Sequence, residues 1–294
     1  MNSKKLLNSE FGLSHQGGGL SQQLDDQTWL FDSFLDAKGG EKGRPSDNNI
    51  DPGTTNPEVT DVYISGDPGV DDSEEFNIHL DFYGDLWTDA LKEDFIAAAD
   101  FLSDLITADI APDGDDDITI DASLIDIDGP GGVLGRAGPT TAWNESDLSA
   151  TAIMEFDVAD AEVFDGYGLW NDIVLHEMIH SLGLGTLWEY QGLLTTQVDD
   201  NGTKKPVDDT ISYVYNGAQA NYYSGLLYNE PVAVIEDEGG SGTAGGHWDE
   251  DTYFNELMTG YINSLNELSE MSYGALEDLG YQIDYTVTPD FLLG

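Results

Sequence analysis

The chain has 294 residues, with 58 acidic side chains against 9 basic ones, and so carries a formal net charge of -49. A field of that sign repels nucleic acid and anionic membrane surfaces, and no apolar run approaches the roughly 18 residues that a membrane span needs. The absence of cysteine excludes disulfides and thiolate metal sites, while 39% hydrophobic content with 6 Trp, 14 Tyr and 11 Phe is enough for a sizeable core. Such an acidic excess fits work in high salt, calcium binding through carboxylates, or simply high solubility.

Residues 1–73 are rich in Gly, Asp, Asn, Ser and Pro and read as a flexible segment or the remnant of a propeptide. The start, MNSKKLLNSEFGLSHQGGG, has two lysines but no apolar stretch behind them, so no conventional signal peptide is visible. Trp29, Leu30 and Phe31, with Phe34 and Leu35, form a short apolar patch that could dock on a folded domain.

From about residue 74 the texture changes. Phe76, Ile78, Leu80 and Phe82 alternate and predict a strand. Thr88 is placed to cap a helix whose buried stripe is Leu91, Phe95, Ala99, Leu102 and Ile106. Residues 118–127 predict a second strand, 129–141 an irregular Gly/Pro loop, and 150–158 a third strand. A helix follows over 170–185, with Asn171 or Asp172 as its cap and Gly183 at its end. Residues 186–265 show little periodicity. A last helix is capped by Ser269, turns Met271, Leu276 and Leu279 inward, and ends at Gly280. No internal repeat is visible.

His176-Glu177-Met178-Ile179-His180 is an HExxH pattern. Residues four apart share one helix face, so both imidazoles can reach one metal ion, with Glu177 beside them. Zinc lowers the pKa of a water to about 7, and a neighbouring carboxylate can then take its proton and pass it to a leaving amine. The same five residues also arise by chance as two surface histidines on a helix. The chain has only five histidines, so a third ligand must come from His15, His79 or His247. His79 lies on a predicted strand and His15 in the loose N-terminal segment.

The motif continues to Gly183 as HEMIHSLG, which resembles the metzincin consensus HExxHxxG. Thr186 stands where most metzincins carry the third histidine. His247-Trp248 followed by Glu256-Leu257-Met258 is similar to the leishmanolysin-like branch, in which that histidine is delayed by an insertion. The resemblance covers roughly residues 74–285. It implies zinc held by His176, His180 and His247, with Glu177 as general base and then acid, and Met258 as the Met-turn residue beneath the metal. Asp128 to Ala137 further resembles the calcium loop of matrixins, which puts Asp128, Asp157 and Asp160 on calcium-ligand positions. Arg136 and Glu155 replace two residues that bind a second zinc there, so no second zinc is expected; the Arg136 charge could also fill the calcium position itself.

Other features carry less. Asp113, Asp115, Asp116 and Asp117 lack the Gly and the bidentate Glu of an EF-hand and read as solvated surface. Tyr261, Tyr222 and Tyr223 are conceivable oxyanion donors but read better as core or surface aromatics.

The fold implied is α+β of the metzincin type. A twisted, mostly parallel sheet carries two long helices over residues 74–183, and an irregular C-terminal subdomain with the Met-turn spans 184–294. A substrate peptide is expected to add to the sheet edge near residues 151–157. The activity implied is that of a secreted zinc endopeptidase acting on proteins or peptides, with structural calcium. Two other readings stay open: a non-catalytic, calcium-stabilised surface or adhesion module that keeps a metal site, and a latent zymogen covered by the N-terminal segment through an acid such as Asp47 or Asp51.

Overall fold

The structure, a computed structural model, describes residues 4–5, 29–33, 58–67, 69–70, 75–107, 117–143, 146–202, 210–240 and 243–289. His15, Asp47, Asp51, Asp113, Asp115 and Asp116 lie outside them. In chain order the first elements are β1 (Lys4–Lys5), β2 (Trp29–Ser33), β3 (Val59–Ile64), β4 (Ile78–Tyr83), α1 (Asp89–Leu105), β5 (Ile118–Ile125), β6 (Gly132–Ala142), β7 (Ser149–Asp157), α2 (Val158–Tyr167) and α3 (Trp170–Leu182). They form a mixed seven-stranded sheet, ordered β1-β6-β7-β5-β4-β3 with β2 also on β6. Its centre, β4, β5 and β7, is parallel.

Alternation explains β4 and β5. Ile78, Leu80 and Phe82, and Ile118, Ile120, Ala122 and Leu124, are buried, while the residues between them are half-buried. Thr88 caps α1 by accepting the Leu91 N–H at 3.2 Å, and the predicted stripe from Leu91 to Ile106 is buried throughout. Phe95 meets Phe82, Trp87 and Phe156 edge-on, and Phe156 meets Trp170, so one aromatic cluster joins α1, the sheet and α3. The Trp170 indole N–H also donates to the Leu91 carbonyl.

Residues 132–142 are a strand, not the expected loop. β6 pairs antiparallel with β7, and its register shifts around Pro139, which has no N–H to give the ladder. Local propensity disfavours a strand with three glycines and a proline, and pairing with β7 overrides it. This corrects the expected substrate edge: β7 is paired on both sides, with β5 and with β6, so residues 151–157 lie inside the sheet. β6 lies beyond β7 and is itself covered. Its far side takes β2 in parallel, with Phe31 opposite Gly135, and β1 antiparallel.

After α3 come α4 (Trp188–Gln191), a hairpin of β8 (Leu194–Asp199) and β9 (Thr210–Tyr215), α5 (Ala218–Leu227), α6 (Glu250–Tyr253) and α7 (Glu270–Leu279). The described residues of the stretch that showed little periodicity therefore form defined elements. It is held by isolated anchors rather than by stripes: Trp188, Tyr215 and Trp248 pack on one another, and Asp278 of α7 accepts the Gln219 and Ala220 N–H groups at the start of α5. Gly274 permits that approach, since a Cβ there would lie 2.8 Å from the Ala220 nitrogen. The inward residues predicted for α7 are buried, and Gly280 ends it. No helix among the described residues is long and apolar enough to cross a membrane.

Candidate metal centre

α3 runs through the interior, with every residue except Asn171 buried. Neither Asn171 nor Asp172 caps it: the N-cap is Leu169, without a side-chain bond. Asp172 sits in the first turn instead and accepts a 2.6 Å hydrogen bond from the Asn266 amide, tying the helix to the turn before α7. Gly183 closes the helix in the left-handed region at φ 115°, its N–H reaching the carbonyls of Ile179 and His180.

His176 and His180 project from one face, as their spacing requires. His247 joins them from a separate segment, 67 residues after His180. Two glycines allow the approach. Gly185 lies directly against the Gly246 carbonyl at φ 73°, leaving no room for a Cβ. All three imidazoles are fully buried. Each spends its Nδ1 on a backbone carbonyl, His176 on Leu257 at 2.7 Å, His180 on Leu184 at 2.8 Å and His247 on Thr243 at 3.1 Å. A carbonyl can only accept, so each Nδ1 carries the proton and each Nε2 bears a bare lone pair. The three Nε2 atoms face one another at 2.9, 2.9 and 3.3 Å.

Three lone pairs so placed repel, and a cation among them reverses the sign of the interaction. Tetrahedral ligands at the usual distance of about 2.0–2.1 Å from zinc lie about 3.3 Å apart, close to what the three nitrogens already show. Protonation is disfavoured as well. Burial, then the neighbouring His180 and His247, hold the His176 pKa well below its usual value. Burial brings His180 down to about 4, against the pull of the Leu184 carbonyl. Burial and then His180 lower His247 too. Neutral imidazoles are what a metal requires. Among the described residues this is the group of three donors close enough to hold one ion.

Glu177 is fully buried. Its Cγ lies beside β6, 3.4 Å from where a Cβ on Gly135 would stand, and that Cβ would also be 2.7 Å from the Phe156 ring. A glycine at 135 thus lets β6 close over the helix at Glu177.

A model of the leishmanolysin family, peptidase family M8, matches residues 131–291, just over half of the chain. The chain belongs to the leishmanolysin family. A leishmanolysin homolog from Crithidia fasciculata is 33% identical over 111 residues, 37% of this chain and 16% of that protein. The match therefore spans about a sixth of the relative's length. Leishmanolysins are zinc-dependent metallopeptidases, and the matched region of this family member contains all three histidines.

The structure also brings Asp128, Asp157 and Asp160 to one loop, where they bind backbone. Asp157 accepts N–H groups from Ile127, Asp128 and Gly129 on one oxygen and caps α2 through Ala159 with the other. Burial raises its pKa, but those four donors outweigh burial and hold it below the usual range. Asp160 accepts from Gly131, and Asp128 from Val133. Burial pushes Asp160 up to about 6, opposed by the Gly131 N–H and aided by the charges of Asp157 and Asp128. Arg136 and Glu155, opposite each other across β6 and β7, form an ion pair at 2.7 Å. His79 stays on its strand, 3.8 Å from Asp117. Tyr223 stacks on Tyr285, Tyr222 is exposed, and Tyr261 is buried.

Sequence reasoning missed the three carbonyls that orient the imidazoles, and it missed Gly135, Gly185 and Gly246. The paired glycines just after His180 and just before His247 are the one local signal that pointed to a close approach.

Proposed function

We propose that this leishmanolysin-family chain is a secreted zinc endopeptidase in which His176, His180 and His247 hold the metal and Glu177 moves the proton. The observation that carries the reading is the convergence of three unprotonated Nε2 atoms with every Nδ1 already committed to a carbonyl. Zinc in such a site supplies Lewis acidity, polarising the scissile carbonyl and making water acidic at neutral pH. Glu177 accepts the proton of the attacking water and delivers it to the departing amine, so no covalent acyl-enzyme is needed. Its buried position favours transfer of a proton over ion pairing in bulk water.

Met258, fully buried and next to Leu257, is the proposed Met-turn residue. The far side of β6 is the proposed ladder for an extended peptide substrate, which would take the place that β2 holds, because that strand runs past Gly135 and hence past Glu177. Calcium at Asp128, Asp157 and Asp160 rests on the loop resemblance. The charges of Asp157 and Asp128 beside Asp160 favour it, and the backbone N–H groups those carboxylates already accept weigh against it.

The test is cleavage of a diverse peptide mixture in zinc buffer, read by mass spectrometry, for wild type and Glu177→Gln. Wild type is expected to cut, and the variant to retain zinc and lose turnover. Equal cleavage by both would remove Glu177 from the mechanism. Zinc binding without cleavage by wild type would favour a non-catalytic metal module.

A further inference from the structure

Glu256 is a carboxylate buried to 2% exposure in the C-terminal half, and the proton chemistry above gives it no role. Four donors converge on it. One oxygen accepts the Ser269 N–H at 3.2 Å, the Ser269 hydroxyl at 2.8 Å and the Ser272 hydroxyl at 2.6 Å. The other accepts the Met258 N–H at 2.5 Å. Ser269 is the N-cap of α7 but makes no cap bond of its own. The Glu256 carboxylate binds the N–H and hydroxyl of this cap residue from outside the helix, where the N-terminal end of the dipole favours a negative charge.

The two ends of this cluster lead to two metal ligands. On one side, Glu256 grips the N–H of Met258, and Leu257 between them points its carbonyl at His176 Nδ1. The Leu257 N–H is held by the Glu267 carbonyl at 2.8 Å, so the residue is fixed through both of its peptide groups. On the other side, Ser272 passes one hydrogen bond to Glu256 and accepts one from the Trp248 indole at 2.9 Å. Trp248 is fully buried, follows His247 directly, and binds the Met258 carbonyl through its own N–H.

We propose that Glu256 is a positioning residue of the metal centre: one carboxylate sets both the Leu257 carbonyl that orients His176 and, through Ser272 and Trp248, the segment that carries His247. This rests on the zinc reading above. A carbonyl behind a ligating imidazole fixes its tautomer and ring plane, and loss of such support costs affinity. A carboxylate suits this task because it offers only acceptors, and all four partners are donors. A glutamine would turn an NH2 group toward a donor.

The experiment compares wild type, Glu256→Gln and Ser272→Ala. Zinc affinity is read by competition with a chelator, coordination by the d–d spectrum of the cobalt-substituted protein, and folding by circular dichroism of the metal-free form. Glu256→Gln is expected to bind zinc about 10- to 100-fold more weakly, with an altered cobalt spectrum and native secondary structure. Ser272→Ala, which cuts only the Trp248 branch, is expected to show a smaller loss and a smaller spectral change. A folded Glu256→Gln with wild-type affinity and spectrum would overturn the proposal. If Glu256→Gln does not fold, Ser272→Ala decides: unchanged affinity and spectrum would overturn it. Failure of wild type itself to bind zinc would instead sink the metal reading.

Discussion

Gly185→Ala tests whether the metal centre depends on the close approach of two backbones. A Cβ at this position would press on the Gly246 carbonyl, 2.9 Å from its carbon and 3.1 Å from its Cα. Non-bonded carbons rest about 3.5–4.0 Å apart and the carbonyl oxygen is nearer still, so the segments must part by about 1 Å or more. The left-handed φ of 73° adds about 1 kcal/mol for any side chain. Overpacking and strain together predict a stability loss of about 2–4 kcal/mol. The displaced residue is the one before His247, and metal bonds tolerate errors of only about 0.2 Å. Zinc affinity should therefore fall about 10- to 100-fold. Turnover at saturating zinc should fall about 100-fold, the usual cost of a 1 Å misplacement. The assays are chelator competition, peptide cleavage and thermal melting. A variant with wild-type affinity, rate and melting temperature would refute the idea that this contact delivers the third histidine.

Three further outcomes are expected. Burial, with Asp165 and Glu93, raises Asp94 to about 6; burial, with Asp94 and against Asn266, raises Asp172 to about 6; burial raises Glu250 to about 7, against Thr259 and Asn263 and with Glu236 and Asp249. Unfolded, these groups titrate near pH 4, so the folded chain holds protons that the unfolded chain has released. That stability is complete below about pH 4 and is lost as pH rises through about 6 to 7. The lowered imidazoles of the metal centre act in the opposite direction below about pH 6.5, so the test is a difference: metal-free Glu250→Gln should gain stability relative to wild type as pH rises from 5 to 8, and a difference that stays constant over that range would contradict the Glu250 shift. Asp157→Ala removes the acceptor of four backbone N–H groups, one of them a helix cap, and should cost about 2–4 kcal/mol in urea unfolding; a loss under about 0.5 kcal/mol, the level of an ordinary surface change, would show that the loop does not rely on it. Deleting residues 1–57 removes β2 from the far side of β6, so kcat/KM for a long peptide should rise; an unchanged value would mean that this side is not where substrate binds.

What the sequence determined by itself was local or compositional. The HExxH spacing put two imidazoles on one helix face because 3.6 residues make a turn, Gly183 ended that helix because it tolerates positive φ, and the alternation in Ile78 to Phe82 marked a half-buried strand. The acidic excess and lack of cysteine limited the chemistry to oxygen and imidazole ligands. His247 was reached only by resemblance, since no periodicity links residues 67 apart. Tertiary structure decided the rest. Residues 132–142 form a strand only because β7 offers them a ladder, and that pairing places β7 inside the sheet, with β1 and β2 beyond β6. The carbonyls of Leu257, Leu184 and Thr243 leave no mark in side-chain identity, because every residue has a carbonyl and only the fold says where it points. The same holds for Gly185 and Gly246: a sequence shows two small residues, and only packing shows that one backbone needs the room the other leaves.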